Sequence, residues 1–265
     1  MSKHIEQHKI INRKQYAYQK HSGTTSAACD LITTIKQKLD KKDIVVVLFI
    51  DLKKAFDSIS KTKLIEKLQK QEITGKELDI IKTYIMDRTQ KTKTNNTHSE
   101  EQYPKYGIPQ GGNLPPLLYV LYTNDLHEQK TKGQVFGYAD DTCILYSGKS
   151  MTELQNNLNQ DLKIINDWCD ENLLTINEEK SNYIIITNKR EAQIMTVTLN
   201  QTTLQEQSSI KYLGLHIQRN MRWDKHIREI LKRNSILQRN NILKIIYYLN
   251  RETATEQVYK KKQTN

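Results

Sequence analysis

A chain of 265 residues carries 41 Lys and Arg against 30 Asp and Glu, a formal net charge of +11, and only 3 Cys. The length suits one large domain or two small ones, the charge favours a polyanionic partner, and the three widely spaced cysteines (Cys29, Cys143, Cys169) fit neither a disulfide framework nor a zinc site. The start has no apolar signal core, and Ile44 to Ile50, the longest unbroken apolar run, is too short to cross a bilayer, so the expectation is an intracellular protein, nuclear or cytoplasmic, without a membrane span. Hydrophobic residues make up 37%, and on a count with Gly and without Tyr the chain falls below the usual apolar share of roughly 45–50%. A thin core is therefore expected, or apolar surface with a partner outside the chain.

In chain order, Ala27, Ala28, Leu31, Ile32, Ile35 and Leu39 recur at spacings of three and four and predict a helix over 24–39, with N-cap candidates between Thr24 and Ser26. Ile44 to Ile50 is β-branched and apolar without alternation, which predicts a strand covered on both faces. A helix through Leu64, Ile65 and Leu68 follows, then another over 76–88, then an exposed hairpin or loop from Gln90 to Glu101. Gly107 to Pro116 holds three of the four prolines and precedes an apolar helix, Leu117 to Leu126. Val135 to Tyr146 reads as two short strands turning at Asp140-Asp141. Met151 to Asn172 is an amphipathic helix with Leu154, Leu158, Leu162, Ile165 and Trp168 on its core face. Strands at 183–187, 194–199 and 210–217 and helices near 224–238 and 241–249 complete an α+β pattern.

Asp51 ends a buried strand, and Asp140 and Asp141 occupy a hairpin turn between apolar strands. Acids in such places cost free energy unless they are paired, hydrogen-bonded or bound to a cation, although Asp is also an ordinary turn residue. If the acids converge, they make an oxygen-only site suited to Mg²⁺, and two such ions would support phosphoryl transfer on a nucleic acid.

These residues carry a resemblance. Phe49-Ile50-Asp51-Leu52-Lys53-Lys54-Ala55-Phe56-Asp57 resembles the first palm motif of the reverse transcriptases of non-LTR (LINE-like) retrotransposons. Gly107-Ile108-Pro109-Gln110-Gly111-Gly112-Asn113-Leu114-Pro115-Pro116 resembles the second, and its continuation through Asn124-Asp125-Leu126 is similar to the non-LTR tail. Tyr138-Ala139-Asp140-Asp141 matches the catalytic hairpin, Leu174 to Lys180 resembles the fourth motif, and Tyr212-Leu213-Gly214 the primer-grip hairpin. Gln15-Tyr16-Ala17-Tyr18 with Thr24-Thr25 resembles a stretch upstream of the palm. Five motifs stand in the family's order, and the resemblance covers roughly residues 10–230.

The resemblance implies a right-hand polymerase palm, an antiparallel sheet with helices packed on one face, with partial fingers and the start of a thumb. The divisions it implies are 1–40 as residual fingers and palm entry, 41–220 as palm with a fingers insertion near 60–106, and 221–265 as the start of the thumb. It implies RNA-directed DNA polymerase activity with two Mg²⁺ ions, Mn²⁺ being an alternative, on an RNA template, a DNA primer and deoxynucleotides. Asp51, Asp140 and Asp141 would hold the metals, and Lys180 would protonate the pyrophosphate. Leu52, Phe56, Gln110 and Gly111 would line the substrate, Phe56 excluding a ribose 2′-OH. Tyr212, Leu213 and Gly214 would hold the primer end. Lys82, Arg88, Lys91 and Lys93 could follow a nucleic-acid backbone, or form a solvated face. The rivals are a nucleic-acid-binding remnant without catalysis, a group II intron maturase relative, and an RNA-dependent RNA polymerase. Pro115 stands where the family has Ser. The fingers motif upstream of Gln15, the full thumb, an endonuclease domain and a Cys/His knuckle are not recognised, so the chain reads as a piece of a larger polymerase.

Overall fold

The computed structural model describes residues 2–95, 97–189 and 194–232. Its centre is the apolar run, which forms strand β1 (Ile44–Ile50), preceded by helices α1 (Ser2–Gln7) and α2 (Thr24–Asp40). Helices α3 (Lys61–Lys70) and α4 (Gly75–Met86) follow, then an exposed hairpin of β2 (Lys93–Thr94) and β3 (Thr97–His98). Next come α5 (Leu114–Thr123), a 3₁₀ turn at Asn124–Glu128, β4 (Gln134–Tyr138), β5 (Asp141–Gly148) and α6 (Met151–Glu171). The remainder comprises β6 (Asn182–Ile186), β7 (Thr198–Leu199), β8 (Thr202–Thr203), β9 (Gln205–Glu206), β10 (Ser209–Tyr212), β11 (Leu215–Gln218) and α7 (Asp224–Lys232).

The main sheet runs β4-β5-β1-β6-β9, antiparallel throughout except for the short parallel β6–β9 pair. Because β1 is interior, its successive residues face two cores. Val46, Leu48 and Ile50 join α3, α4, α5 and α6 in the larger one. Val45 and Val47 join Leu31, Ile35 and Leu39 of α2, with Ile210 and Ile217, in the other. Helices thus cover one face as expected, and α2 with the β10–β11 hairpin closes the second, which is why β1 shows no polar alternation. The low apolar content is concentrated in these two layers.

Several elements differ from the sequence expectation. α5 begins at Leu114 rather than Leu117, because Pro115 and Pro116 fall in its first turn, where backbone N–H groups have no intrahelical acceptor. It gives way to the 3₁₀ turn after Thr123. Only Thr198–Leu199 of the run 194–199 is a strand. Thr196 N–H donates to Gln155 Oε1 and Thr198 N–H to Asn159 Oδ1, so side chains of α6 take donors that a longer ladder would have used. The run 210–217 is two strands turning at Leu213 and Gly214, both with positive φ. β9 was not expected at all. The helix near 224–238 is described to Lys232, and the one over 241–249, with Lys260 to Lys262, lies outside the described residues.

Candidate active site

Strand register brings the acids together. β1 and β5 pair Ile50 with Thr142, so one further step sets Asp51 opposite Asp141, and β4–β5 pairs Tyr138 with Asp141 across the turn Ala139-Asp140. The three carboxylates interact. Burial pushes the Asp141 carboxyl above its usual range, and the negative charges of Asp140 and Asp51 push it further the same way. Tyr119, buried in α5 beneath them, has its hydroxyl pushed up by burial and then by Asp140, Asp51 and Asp141 among nearby groups. Among the described residues no hydrogen bond or ion pair is seen to reach any of the three side chains. Nor do the described residues contain a group of three or more His, Cys, Asp or Glu close enough together to hold a metal ion.

The loop after Asp51 is held from two sides. Asp51 N–H donates to Ser181 Oγ (3.1 Å), Asn177 N–H donates to Asp51 O (2.8 Å), and Lys53 N–H donates to Thr175 O (2.8 Å). The motif from Leu174 to Lys180 is therefore a strap that fixes Asp51. Lys180 is exposed on that strap, its N–H donating to Asn177 O (3.3 Å). On the other side Ile108 N–H donates to Phe56 O (3.1 Å), Gly107 N–H to Ile59 O (2.8 Å), and Gln110 Nε2 to Asp57 Oδ1 (3.0 Å). Gly107 has φ +85°, and a Cβ there would stand 3.1 Å from Asp57 O, so only glycine lets the two loops approach this closely. Leu52 bridges to Ile176, and Phe56 packs its ring on Tyr119 with centroids 4.8 Å apart. Gly111 is exposed, with φ +97° and open space around it.

Tyr212 is placed differently from the rest. Its ring is buried, edge-on to Phe49 at 5.6 Å, with its hydroxyl beside the Cys143 thiol. Leu213 and Gly214 form the hairpin tip, both with positive φ. Of the cations expected along a nucleic-acid backbone, Lys91 pairs with Glu101 (3.3 Å), while Arg88 lies over the Tyr84 ring.

Three residues were missed as functional supports. Gln15, only 1% exposed, grips the acidic turn: Ala139 N–H donates to its Oε1 (3.0 Å) and its Nε2 donates to Ala139 O (3.4 Å). Backbone bonds from Gly137 N–H to Lys14 O and from Tyr16 N–H to Gly137 O, both 2.8 Å, lay this segment along β4. The grip matters because Ala139 has φ +54°, a left-handed conformation unfavourable for a residue with a Cβ. Ser181 is the second, through Asp51. Asp125 is the third: both its oxygens accept from Lys67 Nζ (2.7 Å) and one from Trp168 Nε1 (3.2 Å), tying α3 to α6. Gln15 and Asp125 lay within recognised motifs, but no local signal pointed to their partners.

Residues 1–217 match the family described as Reverse transcriptase (RNA-dependent DNA polymerase). The chain is 27% identical over 237 residues, 86% of its length, to the Probable RNA-directed DNA polymerase from transposon BS of Drosophila melanogaster, and 25% identical over 229 residues, 84% of its length, to the RNA-directed DNA polymerase from mobile element jockey of the same fly. It spans about a quarter of each relative, 26% and 25%. Among solved structures it is similar to apo telomerase from Candida tropicalis truncated from the C-terminal domain (TM-score 0.57, 14% identity, 82% of this chain and 43% of that one). It is also similar to Candida tropicalis telomerase in complex with the TWJ fragment of telomeric RNA (TM-score 0.55, 14% identity, 76% and 33%). These agree with a palm-type α+β fold. No helix among the described residues is long and apolar enough to cross a membrane. With acids, straps and gripping loops arranged on this sheet, the chain belongs to the reverse transcriptase (RNA-dependent DNA polymerase) family, as a domain of the non-LTR retrotransposon kind.

Proposed function

We propose that this domain extends the 3′-OH of a DNA primer with deoxynucleotides on an RNA template. The observation that carries the reading is the trio Asp51, Asp140 and Asp141: three mutually repelling carboxylates at one end of the sheet, to which no hydrogen bond or ion pair is seen among the described residues. Carboxylate oxygens are the donors that hard cations take, although these three side chains stand too far apart here to form a ready-made cage. Two Mg²⁺ ions, or Mn²⁺, held by Asp51 and Asp140 with Asp141 assisting, would supply activation of the 3′-hydroxyl and neutralisation of the leaving pyrophosphate.

The chain's own residues do the positioning. Ser181 and Asn177 fix the backbone of Asp51, and Gln15 fixes the turn carrying Asp140. Lys180, exposed on the strap bonded to Asp51, is the proton donor for the pyrophosphate. Phe56, stacked on Tyr119, blocks a 2′-OH, while Gln110, Gly111 and Leu52 line the nucleotide and template. The turn Tyr212-Leu213-Gly214 holds the primer end, with Leu213 and Gly214 at its tip. In this reading 1–40 is residual fingers and palm entry, 41–220 the palm with a fingers insertion near 60–106, and 221–265 the start of the thumb.

The test is primer extension on an RNA template with Mg²⁺ and deoxynucleotides, comparing this chain with Asp140→Ala. Extension that disappears in the variant supports the reading. No extension from a folded chain that binds RNA overturns it and leaves a nucleic-acid-binding fragment.

A further inference from the structure

The first turn of α3, the end of α4 and the loop around Gly107 line an open cleft of about 480 Å³. Lys61 lines it, although the residue is 95% buried, with 5% relative exposure, and it is the first residue of α3 after the Ser60 N-cap. Its stem is buried while its ammonium opens onto the cleft, and a cation at a helix N-terminus faces the positive end of the macrodipole. Arg88 lines the same cleft and adds a second repulsive element. Among the described residues neither cation has a carboxylate within ion-pair distance: the nearest acid of the lining, Asp57, accepts from Gln110, and Arg88 rests on the Tyr84 ring. Burial, and then the charge of Arg88, holds the Lys61 ammonium below its ordinary range.

A phosphate in the cleft would answer both conflicts at once, since it offers negative charge to Lys61, to Arg88 and to the N-terminus of α3. The surroundings favour a strand over a free nucleotide. Tyr106, 54% exposed, borders the cleft and offers a ring for a base, and exposed Lys105 stands in the chain between the lining residues Pro104 and Tyr106. We propose that Lys61, Arg88 and the N-terminus of α3 form a phosphodiester-binding site for the nucleic-acid strand. This rests on the polymerase reading above, to which it adds a place where the strand is held. Burial of the apolar stem of Lys61 is its ordinary structural use, and the test separates the two roles.

The experiment titrates a fluorescent RNA–DNA hybrid against the full chain across a salt series, with Lys61→Met, Lys61→Arg and Arg88→Gln beside the wild type. Thermal melting and the KM for deoxynucleotides are measured in parallel. Lys61→Met and Arg88→Gln should each weaken hybrid binding roughly tenfold and flatten the log–log salt slope by about 0.7–0.9. Lys61→Arg should keep most of the affinity, and the deoxynucleotide KM should not move. Unchanged affinity and slope with a higher melting temperature in Lys61→Met would make Lys61 a packing residue and overturn the site. A raised KM with unchanged hybrid binding would assign the cations to the triphosphate and overturn it equally. A wild type that binds the hybrid through these cations yet never extends a primer removes the polymerase reading and leaves the site standing. Variants indifferent to the hybrid in an active wild type remove the site alone.

Discussion

Two acidic sites in this molecule are built on opposite principles. Asp125 is compensated: Lys67 Nζ reaches both its oxygens, Trp168 Nε1 reaches one, and the same ammonium lies over the Tyr122 and Trp168 rings. Asp51, Asp140 and Asp141 are gathered just as firmly by the backbone, yet their carboxylates meet mainly one another. The first arrangement spends its charge on holding helices together. The second keeps charge available, which costs stability and is tolerable only where a ligand uses it.

The largest effect should fall on activity at the uncompensated site. Asp51→Asn keeps the shape and the backbone bonds to Ser181 and Asn177 but removes a charge, so primer extension should drop by about three orders of magnitude, about 4 kcal/mol in barrier. Its urea midpoint should stay level or rise, because a repelling carboxylate is gone. Asp125→Asn should do the reverse. It leaves Lys67, whose side chain is only 12% exposed, without its counterion, and should cost about 2 kcal/mol of stability, the exposed side of Asp125 keeping this below the cost of breaking a fully buried pair. Extension by the remaining folded fraction should persist. If Asp51→Asn unfolds the chain or Asp125→Asn alone abolishes extension in folded protein, the contrast is wrong.

The two regions around the β4–β5 turn also differ in their response to acid. His127 lies under Gly137, where its ring would stand 2.8 Å from an added Cβ, and burial depresses its pKa from 6.5 to about 4. Its folded form stays neutral while the unfolded chain takes up a proton. The stability it contributes is therefore complete above pH 6.5 and is lost as the pH falls toward about 4. Between pH 7 and pH 5 the loss should be about 2 kcal/mol, and His127→Gln should remove that part of the slope in urea titrations. Asp141 works with the opposite sign, since its raised folded pKa burdens the fold at neutral pH and the burden is relieved as the pH falls. Asp141→Asn should therefore steepen the net loss on acidification.

The three acids proposed to be catalytic were legible in the sequence because their signal is local. A seven-residue apolar run ending in Asp51 has to be an interior strand, and Tyr138 to Asp141 between two apolar runs has to be a turn. Their supports were not. Gln15 reaches Ala139 across 124 residues and Ser181 reaches Asp51 across 130, and neither pairing leaves a periodic trace. The buried Tyr212 was read from a motif shared by many hairpins, whereas which way its ring turns was decided by Phe49 and Cys143. α5 starts three residues before Leu117 because proline, which breaks a helix interior, is accommodated in a first helical turn.

The smallest predicted effect probes how the turn is held. Ala139 keeps φ +54° at a cost that glycine would not bear, and Gln15 supplies two hydrogen bonds that stabilise the conformation. Gln15→Leu should lower kcat for extension about tenfold, equivalent to about 1.4 kcal/mol, with the deoxynucleotide KM little changed, because the turn carrying Asp140 loses its anchor while the nucleotide surface stays intact. Ala139→Gly should raise stability by about 1 kcal/mol in the parent, by removing the strained Cβ. Combined with Gln15→Leu, it should recover stability, because the left-handed turn then needs less help. It should not recover kcat, because a glycine turn without its anchor is free to place Asp140 elsewhere. Recovery of both would mean that Gln15 only relieves strain; recovery of stability alone would mean that it positions the acid.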